Sequence, residues 1–318
     1  MSKRLKEILS KIPVVNLIVD FLRGIKLPGL EGLSLYDLLE LYAIGIFKGA
    51  LTSRASAIAF SFFTAIFPFL LFVIIVIPYI PVDGFKTEFL QFLDSFLPPQ
   101  TSDFFFANIF ENIDKSENAG LLSSVFVVSL LLMANGVNAV FSGFENSYHQ
   151  ELTRNVFKQY FYALGVALIL AFLLIITVVI FGYFQIYVIQ ALYEQFDSFN
   201  YVADDNGMFW VVFFKYLFFV FMVYIATATL YYYGTKSGKT SKFFSIGALF
   251  TTLLIILTSY LFGIYIENFS QYNKLYGSIG ALLILLFYLW LNANILLLGY
   301  ELNATIRRLR SKNKRTDE

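Results

Sequence analysis

Apolar and polar positions along this chain fall into long blocks rather than short periods. Six windows are almost free of charge: Ala55 to Val82, Asn118 to Phe144, Gln159 to Tyr193, Asn206 to Thr235 with Lys215 inside it, Phe243 to Ile266, and Leu275 to Tyr300. A helix crosses the hydrocarbon core of a bilayer with about 20 apolar residues. The pattern therefore predicts an all-α integral membrane protein with six transmembrane helices in residues 54–304.

Shorter stretches carry the one-sided period of surface helices. "SLYDLLELYAIGIFKGALTSR" opens on Ser34 as N-cap, with Asp37 and Glu40 early and Lys48 and Arg54 late, the order that suits the helix dipole. An amphipathic interfacial helix is expected there. In the loop 83–117, "TEFLQFLDSFLPP" puts Phe89, Phe92, Leu93, Phe96 and Leu97 on one helix face, and "SDFFFANIFENI" does the same with Phe105, Phe106, Ile109, Phe110 and Ile113. Two short amphipathic helices are expected in this outer loop, lying on the membrane or folded over the bundle. Residues 1–53 read as a retained basic and amphipathic interfacial segment, because "KIP" and "FLRG" interrupt the early apolar run and no small-residue cleavage site follows it. Residues 305–318 read as a basic cytoplasmic tail, disordered at its end.

Charge orients these blocks. Of 23 Lys and Arg, all but Lys86, Lys115, Lys274 and the intramembrane Lys215 fall on the side that holds the N-terminus. By the positive-inside rule both termini are cytoplasmic. Composition agrees with the class: 58% of residues are hydrophobic, 14% are charged, and the mean hydropathy is +0.70, which is outside the range of soluble domains. The absence of cysteine removes disulfides and thiolate chemistry, and a single histidine, His149, removes a multi-histidine metal centre within one chain. No G-x-S-x-G or H-E-x-x-H motif occurs, and "GTKSGKT" has three residues between its glycines where a phosphate-binding loop has four. No catalytic arrangement, metal or cofactor is called for.

The candidate chemistry sits at helix ends. Asn138, Gly143 and Glu145 close the second window, and Asn294, Gly299 and Glu301 close the sixth. Both sets read N-x4-G-x-E, and both meet an arginine nine residues after the glutamate, Arg154 and Arg310. Residues seven apart share a helix face, so the two faces are expected to line one polar pocket on the cytoplasmic side, joined by Asn303. The plainer alternative makes each glutamate a membrane-boundary group. Arg54, Arg154 and Lys215 are candidate contacts for an anion or lipid; Lys215 either snorkels to the outer surface or pairs with Glu267 or an anionic ligand. Pro68 predicts a kink in the first span, and Ala57, Ser61 and Ala65 predict a close helix contact.

Several of these residues also carry a resemblance. Arg54-Ala55 with Ala57, Ala59 and Phe60 leading into Pro68, the run Asn138 to Arg154, and "YGSIGALLILLFYLWLNANILLLGYELNA", above all Gly280 and Gly299 to Asn303, resemble the YihY/BrkB family of bacterial inner-membrane proteins, once labelled ribonuclease BN. The arginine-rich stretch after the second span is thinner here, keeping Arg154 and little else. The resemblance implies six transmembrane helices in the inner membrane and a part in envelope lipid biogenesis. Transport of a lipid or other amphiphile without ATP hydrolysis would follow, with membrane lipids and envelope proteins as partners and no nucleic acid. A non-transporting scaffold for envelope assembly is the alternative. An enzyme is not expected, since a metal-dependent nuclease needs clustered histidine and carboxylate ligands.

Overall fold

The computed structural model describes residues 13–25, 34, 36–37, 50–76, 119–145, 155–183, 205–234, 242–268 and 278–316. These form seven α-helices: α1 (Pro13–Gly24), α2 (Ala50–Val76), α3 (Ala119–Glu145), α4 (Val156–Tyr183), α5 (Asp205–Gly234), α6 (Ile246–Asn268) and α7 (Ser278–Thr316). Within α3 to α7, the stretches Val127–Glu145, Val156–Ile180, Tyr216–Gly234, Ile246–Tyr265 and Leu282–Arg307 are long and apolar enough to cross a membrane. The corresponding apolar stretch of α2, Leu51–Ile66, is shorter. The outer loop 83–117, His149 and Arg154 lie outside the described residues.

Local chemistry explains the ends. Pro13 opens α1, where its fixed φ suits the first helical position and its missing N–H is no loss, and Gly24 closes it. Ser34 and Asp37 form a reciprocal cap: Asp37 N–H donates to Ser34 Oγ at 3.3 Å, and Ser34 N–H donates to Asp37 Oδ2 at 2.9 Å. The Arg23 guanidinium lies 4.7 Å above the ring of Tyr36 next to this cap and ties α1 to it. α7 runs well beyond the end of its apolar window, because no glycine or proline follows Gly299 and the late Arg and Lys residues oppose the negative end of the helix dipole. The tail is thus helical through Thr316.

α2 packs against α3 and α7, α3 against α4, α5 against α4 and α6, and α6 against α7. In lipid no hydrophobic force drives helices together, so close packing and interhelical hydrogen bonds must do so. α2 presents Leu51, Ala55, Ile58, Ala59 and Ala65 to the bundle. Of the expected ridge, Ala65 is buried and a Cβ on Gly136 would stand 3.2 Å from it, whereas Ala57 faces outward. The contact face is set by Ala55 and Ala59, two residues off the predicted register at its start. Beside the turn that holds Pro68, an apolar cavity of about 250 Å³ opens between α2, α3 and α4, lined among others by Ile66, Phe69, Met133, Gly136 and Leu170. Large apolar side chains such as Phe60, Phe161, Phe172, Phe214 and Tyr260 point away from the core, as lipid-facing positions do.

Candidate functional site

The two N-x4-G-x-E motifs meet. Glu145 is the last residue of α3, and Glu301 lies on α7 beyond the middle of that helix. Glu145 is 1% exposed and Glu301 7%, so both residues are buried in the bundle. The residue before each glutamate is aromatic, and these two rings stack face to face: the centroids of Phe144 and Tyr300 are 4.2 Å apart and the rings are inclined by 11°.

One guanidinium joins the motifs. Arg54, near the start of α2, donates from Nη1 to the backbone oxygen of Gly143 at 2.8 Å and from Nη2 to Glu301 Oε1 at 3.3 Å. The ion pair is largely withdrawn from solvent, with side-chain exposures of 12% and 10%. A carbonyl of the first motif and a carboxylate of the second therefore share one cation. Burying such charges is unfavourable unless they are paired and hydrogen-bonded, and the fork geometry of arginine serves two acceptors at once.

Glycines let the helices come this close. A Cβ on Gly143 would press on Ile58 and Leu297, at 2.8 and 3.2 Å. On Gly234 it would stand 2.6 Å from the ring of Phe144. On Gly299 it would collide with Thr251 Oγ1, the hydroxyl of Tyr231 and the backbone oxygen of Gly247. Into this space α5 inserts Tyr231, whose ring meets Phe144 and Tyr300 edge-on at 5.5 and 5.9 Å. Its hydroxyl donates to the Leu296 backbone oxygen at 2.6 Å and lies 2.6 Å from Thr251 Oγ1. With its single proton so used, it accepts from the threonine. Tyr231 carries no motif that marks it in advance: it is the first of three consecutive tyrosines, and only the fold distinguishes it.

The asparagines divide. Asn303 turns to α6, where its Oδ1 accepts from Gly247 N–H at 2.9 Å and its Nδ2 donates to Ser245 Oγ at 2.8 Å. It caps the first turn of α6 together with Ser245, whose Oγ accepts from Ala248 N–H at 3.3 Å. Asn294 is buried and donates to the Trp290 backbone oxygen one turn back, at 2.8 Å. Asn138 is half-buried on α3. Gln159 of α4 donates to Ser142 Oγ at 3.1 Å and holds α4 against the end of α3. Lys215 belongs to α5, with its side chain outside the described residues. Among the described residues, no three His, Cys, Asp or Glu gather where they could hold a metal ion.

Residues 47–318 match the profile of the family described as virulence factor BrkB. The chain belongs to the BrkB family. Curated relatives agree in extent: the ribonuclease-like protein YfkH of Bacillus subtilis (strain 168) is 24% identical over 258 residues, covering 80% of this chain and 90% of that protein. A UPF0761 membrane protein of Aggregatibacter aphrophilus (strain NJ8700) is 26% identical over 271 residues, 83% of this chain and 90% of the relative. A UPF0761 membrane protein of Psychrobacter sp. (strain PRwf-1) is 34% identical over 77 residues, 24% of this chain and 14% of the relative. No solved structure matches. The BrkB match takes in Arg54 and both glutamate motifs, so every residue of the cluster lies within the family's extent.

Proposed function

We propose that this BrkB-family protein moves a lipid or another amphiphile across the bacterial inner membrane without hydrolysing ATP. The Arg54, Glu145 and Glu301 cluster would engage the polar end of the cargo. The observation that carries this reading is the guanidinium shared by both motifs at one end of a largely apolar bundle. Ionisable groups inside a membrane bundle are costly and commonly mark substrate or ion paths. The apolar cavity between α2, α3 and α4 offers room for an acyl chain in the same bundle.

In this reading α2 is the sixth span: its 27 residues reach about 40 Å at 1.5 Å per residue. Both termini then face the cytoplasm, the orientation that the distribution of Lys and Arg favours. The chain is not an enzyme in this account. One histidine, no cysteine and carboxylates scattered along the chain do not offer the clustered ligands of a nuclease metal centre, whatever the name of the Bacillus relative.

The test uses the purified protein in proteoliposomes with a headgroup-labelled phospholipid that a membrane-impermeant quencher reads from outside. Wild type is expected to equilibrate the label between leaflets. The Glu145→Gln, Glu301→Gln double variant, matched for helicity and reconstitution, is expected to fall to the rate of empty liposomes. Full activity in that variant would remove the cluster from the mechanism.

A further inference from the structure

Arg307 stands apart from the cation already described. It lies two turns beyond Tyr300 on the same face of α7, with its guanidinium carbon 5.8 Å from the centroid of the Tyr300 ring. Tyr300 in turn stacks on Phe144, so Arg307 is linked through one ring to the aromatic pair that joins the two glutamate motifs. Its nitrogen Nη2 is buried and has no hydrogen-bond partner among the described residues. The residue as a whole is half-buried rather than fully enclosed.

This combination has a chemical preference. Arg54 is already committed, its two terminal nitrogens serving Gly143 and Glu301. A desolvated guanidinium nitrogen without an acceptor is among the more unfavourable groups a fold can hold. The acceptor that relieves it best is a charged oxygen, and the planar fork of arginine fits two oxygens of a phosphate. α7 continues through Arg308, Arg310, Lys312, Lys314 and Arg315, a run of charge that draws anions to this end of the helix.

We propose that Arg307, braced on Tyr300, is a binding site for the phosphate group of a membrane phospholipid at the cytoplasmic end of α7. This rests on the transport reading for its place in the cycle, and it names the cargo class as a phosphate-bearing amphiphile. Arg54 keeps its place in the cluster, where it also holds the two motifs together, and Arg307 adds the contact to the phosphate oxygens. A free phosphate ion offers the same oxygens, and the experiment separates the two sources.

The experiment is native mass spectrometry of the full-length protein released from nanodiscs of phosphatidylglycerol doped with diacylglycerol, which lacks phosphate. Wild type is expected to retain phosphatidylglycerol and not diacylglycerol. Arg307→Gln should weaken retention by about tenfold to a hundredfold, the loss of one charged hydrogen-bonding partner, while Arg307→Lys, which keeps a point charge but not the fork, should fall between them. Equal retention by wild type and Arg307→Gln overturns the site. If Arg307→Gln does not fold, as judged by helicity and gel filtration, the lysine variant decides: retention unchanged from wild type overturns the proposal. A large excess of inorganic phosphate that displaces the lipid keeps the oxyanion site but makes free phosphate its occupant, which contradicts the lipid assignment; lipid retained under that challenge supports it. Retention requires no movement of lipid, so absent transport with retention intact counts against the transport reading alone.

Discussion

At the scale of single residues, what singles out this site is how little room surrounds it. Gly299 is wedged against Tyr231, Thr251 and the backbone of Gly247, so that any side chain there must displace a backbone as well as two hydroxyls. Gly165 on α4, by contrast, has nothing within reach of an added Cβ. Gly299→Ala is expected to destabilise the protein by about 1–3 kcal/mol or more through overpacking, whereas Gly165→Ala should be neutral or gain up to about 1 kcal/mol from helix propensity. Thermal unfolding in one detergent reads both; equal melting temperatures for the two variants would show that the α6–α7 contact is looser than described. The motif marks Gly299 and not Gly165 in the sequence, but the crowding that separates them arises from contacts between positions far apart in the chain. The same holds for Tyr231, which neighbouring tyrosines disguise. The carboxylates were legible because a charged residue stands out in an apolar helix end, and their shared spacing made them a pair. That Arg54 bonds to Glu301 and to the Gly143 backbone was not legible, since Arg54 is 247 residues from Glu301 and 89 from Gly143 and no local period reports such a contact.

At the scale of elements, the apolar windows located the helices well where a charge or glycine ends the apolar run. α3 and α5 begin and end within one residue of expectation, while α7 continues as a helix past its window because hydropathy measures the membrane and not the helix. The register of the α2 contact was harder to read: a stripe of small residues occurs on more than one face of "SRASAIAFSFFTAIF", and the neighbours choose among them. Asn303 shows one element finishing another. By accepting from Gly247 N–H and donating to Ser245, it fastens the start of α6 to α7 at a buried backbone N–H. Asn303→Leu should therefore leave the first turn of α6 uncapped, at about 0.5–2 kcal/mol. Hydrogen exchange should speed up at Gly247 and Ala248 and stay unchanged at the start of α4. Unchanged protection at Gly247 would mean that the cap is supplied from elsewhere.

At the scale of the whole molecule, helix ends from distant parts of the chain converge. α2 begins, α3 and α5 end, and α7 passes through at one end of the bundle, where one arginine bonds to both motifs and three aromatic rings fill the space between them. The bundle is held by packing and a few buried polar contacts, with an apolar cavity beside the turn that holds Pro68, and the proposed movement of an amphiphile draws on both. The central claim is that the two glutamate motifs act as a single site. The most direct measurement is a cycle of lipid-movement rates in proteoliposomes for wild type, Glu145→Gln, Glu301→Gln and the double variant. Groups that act as a unit are strongly non-additive, so the double variant is expected to be no slower than the slower single variant. If the two effects instead multiply, so that two tenfold losses combine to about a hundredfold, the motifs act independently and the shared site is contradicted.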